Sequence, residues 1–268
     1  MKTKLHFALG LVLFAVLFDG CRKNDAADYN PVINPDMAAL KKQYFKAVID
    51  ASVVEPFEIY RSLIAVINYG DSSAGPGNLT WSLDSAGRYR VLVSSWMKQG
   101  NLKYWPIGKP FKLSNNQAYM PWVTSVPELS DFLKWQKFTD TTSLRIRVAQ
   151  VLGMPAYTEN NYIVEFWVYP ENMFRPTPDP EITDHEANLY FPSSATVAYR
   201  TWFNNLIQIQ YDTTKTPFPW TRLGYTYDWG NPVSEIGLSE FVIDTSSLVT
   251  VENIYTTWQY YQLSQLKK

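Results

Sequence analysis

Three features of the sequence predict an α+β fold, a single domain with a mostly antiparallel sheet and several short helices. Two apolar runs at residues 79–83 and 89–96 flank Asp84-Ser85-Ala86-Gly87, which has the composition of a tight hairpin connection. Apolar residues recur at helical spacing after Asp36 and again after residue 196. Aromatic side chains make up 16% of the chain, with 18 Tyr and 10 Trp, and such amphipathic rings suit half-buried sheet faces or binding surfaces.

Residues 1–20 read as a lipoprotein signal peptide. Lys2 and Lys4 precede an apolar run over residues 5–18, which is shorter than the roughly 20 residues a membrane-spanning helix needs. Cys21, the one cysteine of the chain, follows immediately, and this resembles the lipobox in which the cysteine is lipidated. Phe18 and Asp19 depart from the usual residues of that motif. Residues 21–35 are polar and read as a flexible tether, leaving 36–268 as one globular domain. Lys23-Asn24-Asp25 resembles the surface-export signal of some Gram-negative lipoproteins. The expected place is the bacterial cell envelope, anchored to the outer membrane by lipid, on its periplasmic or outer surface.

Along the domain, Asp36 caps a helix carrying Met37, Leu40, Tyr44, Ala47 and Val48. Residues 63–67 read as a buried strand, 71–78 as a loop, and 79–96 as the hairpin. Pro106 and Pro110 interrupt any period between 98 and 120. Ser125 then caps a short helix from Pro127, with Leu129, Phe132, Leu133 and Phe138 facing inward. Leu144, Ile146 and Val148 alternate with Arg145 and Arg147, the pattern of a strand with one wet face. A second apolar strand, interrupted by Glu165, covers 162–169. Val197, Arg200, Phe203, Leu206 and Ile207 mark an amphipathic helix ending near Tyr211. Strands follow at 238–243 and 248–251, and the Tyr-rich tail is open between strand and helix.

Composition also limits the chemistry. The net charge of −1 offers no basic surface for nucleic acid. Once the signal is removed, one histidine (His185) remains and Cys21 is taken by lipid. Disulfides, zinc sites and thiol nucleophiles are thereby excluded, and no cofactor is expected. Gly70-Asp71-Ser72 invites comparison with GDS-type esterases, but the aspartate such enzymes place three residues before histidine is Ile182 here.

Two stretches remain as candidate sites. Asp179, Glu181, Asp184 and Glu186 surround His185, a set of oxygen donors that a hard cation could use. The spacing is not that of a calcium loop, and a proline-stiffened loop whose acids cap the next helix is the favoured reading, leaving Asp179, Glu181 and Asp184 as weak metal candidates. The second stretch, residues 219–243, holds Trp220, Tyr225, Tyr227 and Trp229 as candidate ligand-binding rings around Arg222 and Asp228, then reaches Glu235 and Glu240. Arg222, Asp228 and Glu240 are the candidate catalytic residues. An arginine that holds an anion and a carboxylate at a strand edge suit glycosyl or ADP-ribosyl transfer, or glycoside cleavage by a carboxylate pair. A buried ion pair or turn contact for Arg222 and Asp228 is the competing reading.

Trp167-Val168, Met173-Phe174-Arg175-Pro176, the run at 179–184, PWTRLGYTYDW and GLSEFVI together resemble an uncharacterised family of bacterial secreted proteins, over roughly residues 140–255. The resemblance implies export and carries no activity. Glu240-Phe241-Val242 distantly resembles the glutamate strand of ADP-ribosyltransferase-type toxins. The expectation is a binding module attached to the membrane by its N-terminal lipid, taking a small molecule, glycan or protein, with a carboxylate and arginine enzyme as the alternative.

Overall fold

The computed structural model of the protein describes residues 36–67 and 79–266. The signal segment, Cys21, the tether and the 71–78 loop with Gly70-Asp71-Ser72 lie outside them. Asp36 starts α1 (Met37–Ala51) by accepting the N–H groups of Ala38 and Ala39, and Tyr44, Ala47 and Val48 form its buried face, as the spacing predicts. The hairpin is present as β1 (Trp81–Leu83) and β2 (Tyr89–Met97), with the Asp84 carboxylate accepting Ala86 and Arg88 N–H across the turn. The proline-interrupted region makes a 3-10 turn and β3 (Pro110–Lys112), then leads to β4 (Trp122–Ser125).

α2 (Glu128–Lys134) begins after Pro127 and is followed by α3 (Thr141–Val151). α3 replaces the strand expected at 144–148. Asp140 caps it through Ser143 N–H, and Leu144, Val148 and Val151 fall on one buried helical face. A four-residue spacing of apolar residues satisfies both periods, so alternation over so short a run did not separate them. Residues 63–67 are extended but enter no sheet; Leu63 and Val66 donate to the carbonyls of His185 and Ile182 in a facing loop.

β5 (Tyr162–Val168) and β6 (Met173–Phe174) precede α4 (Val197–Gln210), which Thr196 caps by accepting Tyr199 N–H. The acidic loop therefore does not cap this helix. β7 (Tyr225–Tyr227) pairs with β8 (Ile236–Ser239), and the strand expected over 238–243 breaks at Glu240 before β9 (Phe241–Ile243). The tail combines both readings, with β10 (Leu248–Thr256) running directly into α5 (Thr257–Leu266).

The main sheet has eight strands in the order β3-β10-β5-β2-β4-β9-β6, with β1 added beside β2, and its paired strands are antiparallel. The fold is thus α+β, as expected. Register separates the two faces cleanly. Val91↔Val168 and Val93↔Phe166 point to one side, where Trp105 covers Phe166 at 5.0 Å between ring centroids. Trp96↔Ile163 points to the other, under Leu129 and Leu133 of α2, Leu144 and Val148 of α3, and Tyr260 of α5. Ser94↔Glu165 shares that helical face, and Glu165 is held beside the Tyr260 hydroxyl. No helix among the described residues is long and apolar enough to cross a membrane.

Candidate functional site

The aromatic stretch begins with a backbone that L-residues resist. Arg222 has φ 59° and Gly224 φ 79°, and a methyl group on Gly224 would lie 2.9 Å from Leu63 Cδ1. This tight turn sends the Arg222 guanidinium backward, where Nη2 donates to Ser52 O at 2.8 Å and the group lies 5.3 Å from the centre of the Tyr211 ring. Arg222 is therefore a cap for the C-terminal end of α1, whose last carbonyls lack helical partners.

β7 turns Tyr225 into a cluster with Leu63 and Leu223, its hydroxyl donating to Glu58 O. Tyr227 reaches Asp50 at 2.7 Å. Asp228 is held by Arg147 of α3 in a two-bond pair, at 2.7 and 2.6 Å, with both side chains less than a tenth exposed. The wet-strand arginine of the sequence reading is thus a buried ion-pair partner. Trp229 closes the α1 interface, edge-on to Tyr44 at 5.7 Å, with its ring N–H on Met154 O.

Glu240 has a different environment. It stands in the break between β8 and β9, its N–H bonded to Gly224 O, and its side chain enters a cavity of about 1170 Å³. The cavity lies between the β2 and β4 ends of the sheet, the 101–119 segment and one face of α4. Trp105, Trp122, Trp202, Trp220 and Tyr227 contribute rings to its wall. Among the described residues, Lys112, exposed, and Glu240 are the only lysine, arginine, aspartate or glutamate residues lining it. Burial pushes the Glu240 carboxyl up to about 8, and it has no hydrogen-bond or ion-pair partner among the described residues. Ser94, 2% exposed, lines the same cavity, and its Oγ has no partner among the described residues.

Of the three candidate catalytic residues, only Glu240 lines this cavity. Trp220 and Tyr227 reach it among the candidate rings, whereas Tyr225 and Trp229 belong to the two core clusters described above. Sequence reasoning missed Trp122, Trp202 and Ser94, which come from three other elements. Trp122 and Trp202 carried only the signal of an aromatic on an otherwise amphipathic element.

The acidic loop organises around Arg175, which is fully buried. Its Nη1 donates to Asp184 Oδ1 at 2.9 Å and to Glu181 O, and its Nη2 to Ile64 O at 3.1 Å. Burial pulls this guanidinium down from its ordinary value against the opposing pull of Asp184 and Glu181. Glu181 accepts the N–H groups of Thr183 and Asp184, and Asp179 accepts Asn188. Asp179, Glu181 and Asp184 are thereby committed to different partners. Among the described residues no group of three or more His, Cys, Asp and Glu side chains is placed to hold a metal ion.

The chain matches no family model, no curated protein and no solved structure.

Proposed function

We propose that the protein is a lipid-anchored module of the bacterial cell envelope that binds a small molecule in the Glu240 cavity. The observation that carries this reading is the cavity itself, ring-lined and large enough for a drug-sized or disaccharide-sized ligand. Tryptophan faces stack on sugar or aromatic rings at little cost in side-chain entropy, and the hydroxyl of Ser94 offers a buried hydrogen-bonding group. The tether and Cys21 support attachment to a membrane, and the weak net charge does not favour nucleic acid.

The test is tryptophan fluorescence and thermal shift of residues 36–268 against glycan fragments, peptidoglycan fragments and small aromatic amphiphiles. A binding molecule should quench emission and raise the melting temperature, and Trp202→Ala, a change on the half-buried face of α4, should weaken it about tenfold or more. Silence across the whole panel would defeat the reading. Loss of metabolic lipid labelling in Cys21→Ala tests the anchor, and an unlabelled parent chain would remove it.

One feature favours an enzyme as the second reading. A carboxyl pushed up to about 8 keeps its proton at neutral pH and could act as a general acid. Cleavage by a carboxylate pair needs a second acid facing the same ligand, and Asp228 is instead occupied by Arg147 away from the cavity. Arg222, turned to α1, is not placed to hold an anion there.

A further inference from the structure

We propose that the Glu240 end of the cavity is a site for an organic cation, an ammonium or quaternary ammonium group carried on an apolar or aromatic body. The inference rests on the cavity being a ligand site and names the chemistry of its ligand.

The register Trp122↔Val242 and Val123↔Phe241 puts Glu240 just before the β4-β9 ladder, on the side of Trp122 and Thr124, and all three line the cavity. Trp122 meets Trp220 edge-on, with ring centroids 5.9 Å apart at 84°. Trp220 in turn stacks on Tyr211, whose hydroxyl Glu240 influences electrostatically. Glu240, Trp122 and Trp220 thus line one cavity. A neutral apolar group there would leave the carboxyl unsatisfied, and an anion would meet the negative ring faces and be repelled by the carboxylate form. A cation is attracted to an aromatic face, of which half-buried Trp122 offers one, and supplies the missing counter-charge.

Among the described residues none is paired with this carboxyl as a counter-charge. Arg222 is bound to Ser52 O and lies over Tyr211, and Lys112 is exposed at the rim. The Tyr211 hydroxyl donates to Trp220 O and that of Tyr227 to Asp50. Glu128, bonded to the residue before Glu240, accepts Ser239 N–H, Ser239 Oγ and Thr124 Oγ1. Among the described residues Glu240 remains without a hydrogen-bond or ion-pair partner.

Because burial holds the empty carboxyl near 8, a cation that binds the carboxylate must displace its proton. The balanced step is Glu240 carboxylic acid plus cation giving the carboxylate-cation pair plus one released proton. Affinity for a permanent cation should then rise about tenfold per pH unit below 8 and level off above it.

Calorimetric titration of the folded chain with benzyltrimethylammonium, benzyl alcohol and phenylacetate, at several values between about pH 6 and pH 9 and in buffers of different ionisation heat, tests this. The cation is expected to bind at least about tenfold more tightly than benzyl alcohol at the alkaline end, with release of one proton at neutral pH, and phenylacetate to bind most weakly. Glu240→Gln should abolish the cation preference and its pH dependence while benzyl alcohol still binds. Equal binding of cation and alcohol by the parent chain, or a preference that survives Glu240→Gln, would overturn the inference and leave the cavity reading standing. No binding by any of the three would overturn the inference, and the cavity reading would then stand or fall on the glycan and peptidoglycan panel. Should Glu240→Gln not fold, proton release by the parent chain decides: its absence during cation binding overturns the proposal.

Discussion

At the scale of single residues, Glu240 and Asp228 show how two carboxylates of one short stretch receive opposite treatment. Glu240 is half-buried in the cavity wall with no partner among the described residues, so desolvation raises its folded value to about 8, above its ordinary 4.5. Between those values the folded chain holds a proton that the unfolded chain has released. Stability must therefore fall as pH rises through this window and become flat above about 8. Glu240→Gln cannot ionise, and chemical denaturation should find it more stable than the parent at pH 9 by on the order of 1–3 kcal/mol, with the gap closing near pH 4. Asp228 is the converse, a charge whose burial is compensated by Arg147. Asp228→Asn should cost about 3–5 kcal/mol in urea unfolding because it strands the guanidinium. An apolar replacement of both partners should recover most of that loss. The stretch announced its charges plainly, but the partner of Asp228 lies 81 positions earlier in a segment that looked like a solvated strand. A pairing across that distance leaves no local pattern, and so an ion pair and a catalytic aspartate read alike from sequence.

At the scale of elements, legibility follows how local the determining interactions are. α1 was readable because Asp36 supplies its cap and its apolar face repeats within the helix. The β1-β2 turn was readable because Asp84 satisfies its own turn N–H groups. The break between β8 and β9 was not, since it comes from Gly224 O accepting Glu240 N–H and from β8 leaving for β7 while β9 pairs with β4. α4 lies between these cases. Its amphipathic spacing is visible, but the face bearing Trp202, Leu206 and Ile209 lines a cavity instead of meeting a packed core. Phe203 is the one fully covered residue of the helix, seated 5.0 Å from Trp220 and 5.4 Å from Phe191. Phe203→Ala should cost about 3 kcal/mol. Hydrogen exchange should show α4 amides losing protection before those of β2 and β5, and ligand-induced quenching should fall with them. Uniform loss across all elements would mean that α4 is more firmly held than one ring explains.

At the scale of the whole molecule, the early and late parts of the chain complete each other. β10 lies between β3 and β5 in the main sheet, and its Val251 faces Phe166 in the core. α1 docks on segments near the other end, with Tyr44 donating to Pro217 O at 2.7 Å and Trp229 packed against it. The cavity repeats this arrangement, its wall running from Ser94 through α4 to Glu240. A chain ending after Tyr211 keeps α1, β2, β5 and α4, yet it exposes the edge of β5 and uncovers Tyr44 and the Leu144 cluster. The unpaired edge and lost apolar burial together exceed the small margin by which a domain is stable. Such a chain should show neither near-ultraviolet circular dichroism nor a cooperative thermal transition. A cooperative transition in it would mean that the first two-thirds of the sequence forms a domain by itself. The Glu240 cavity would then be an interface between two folding units. The interleaved strand order predicts the opposite, that the site forms only when the last strand has been inserted.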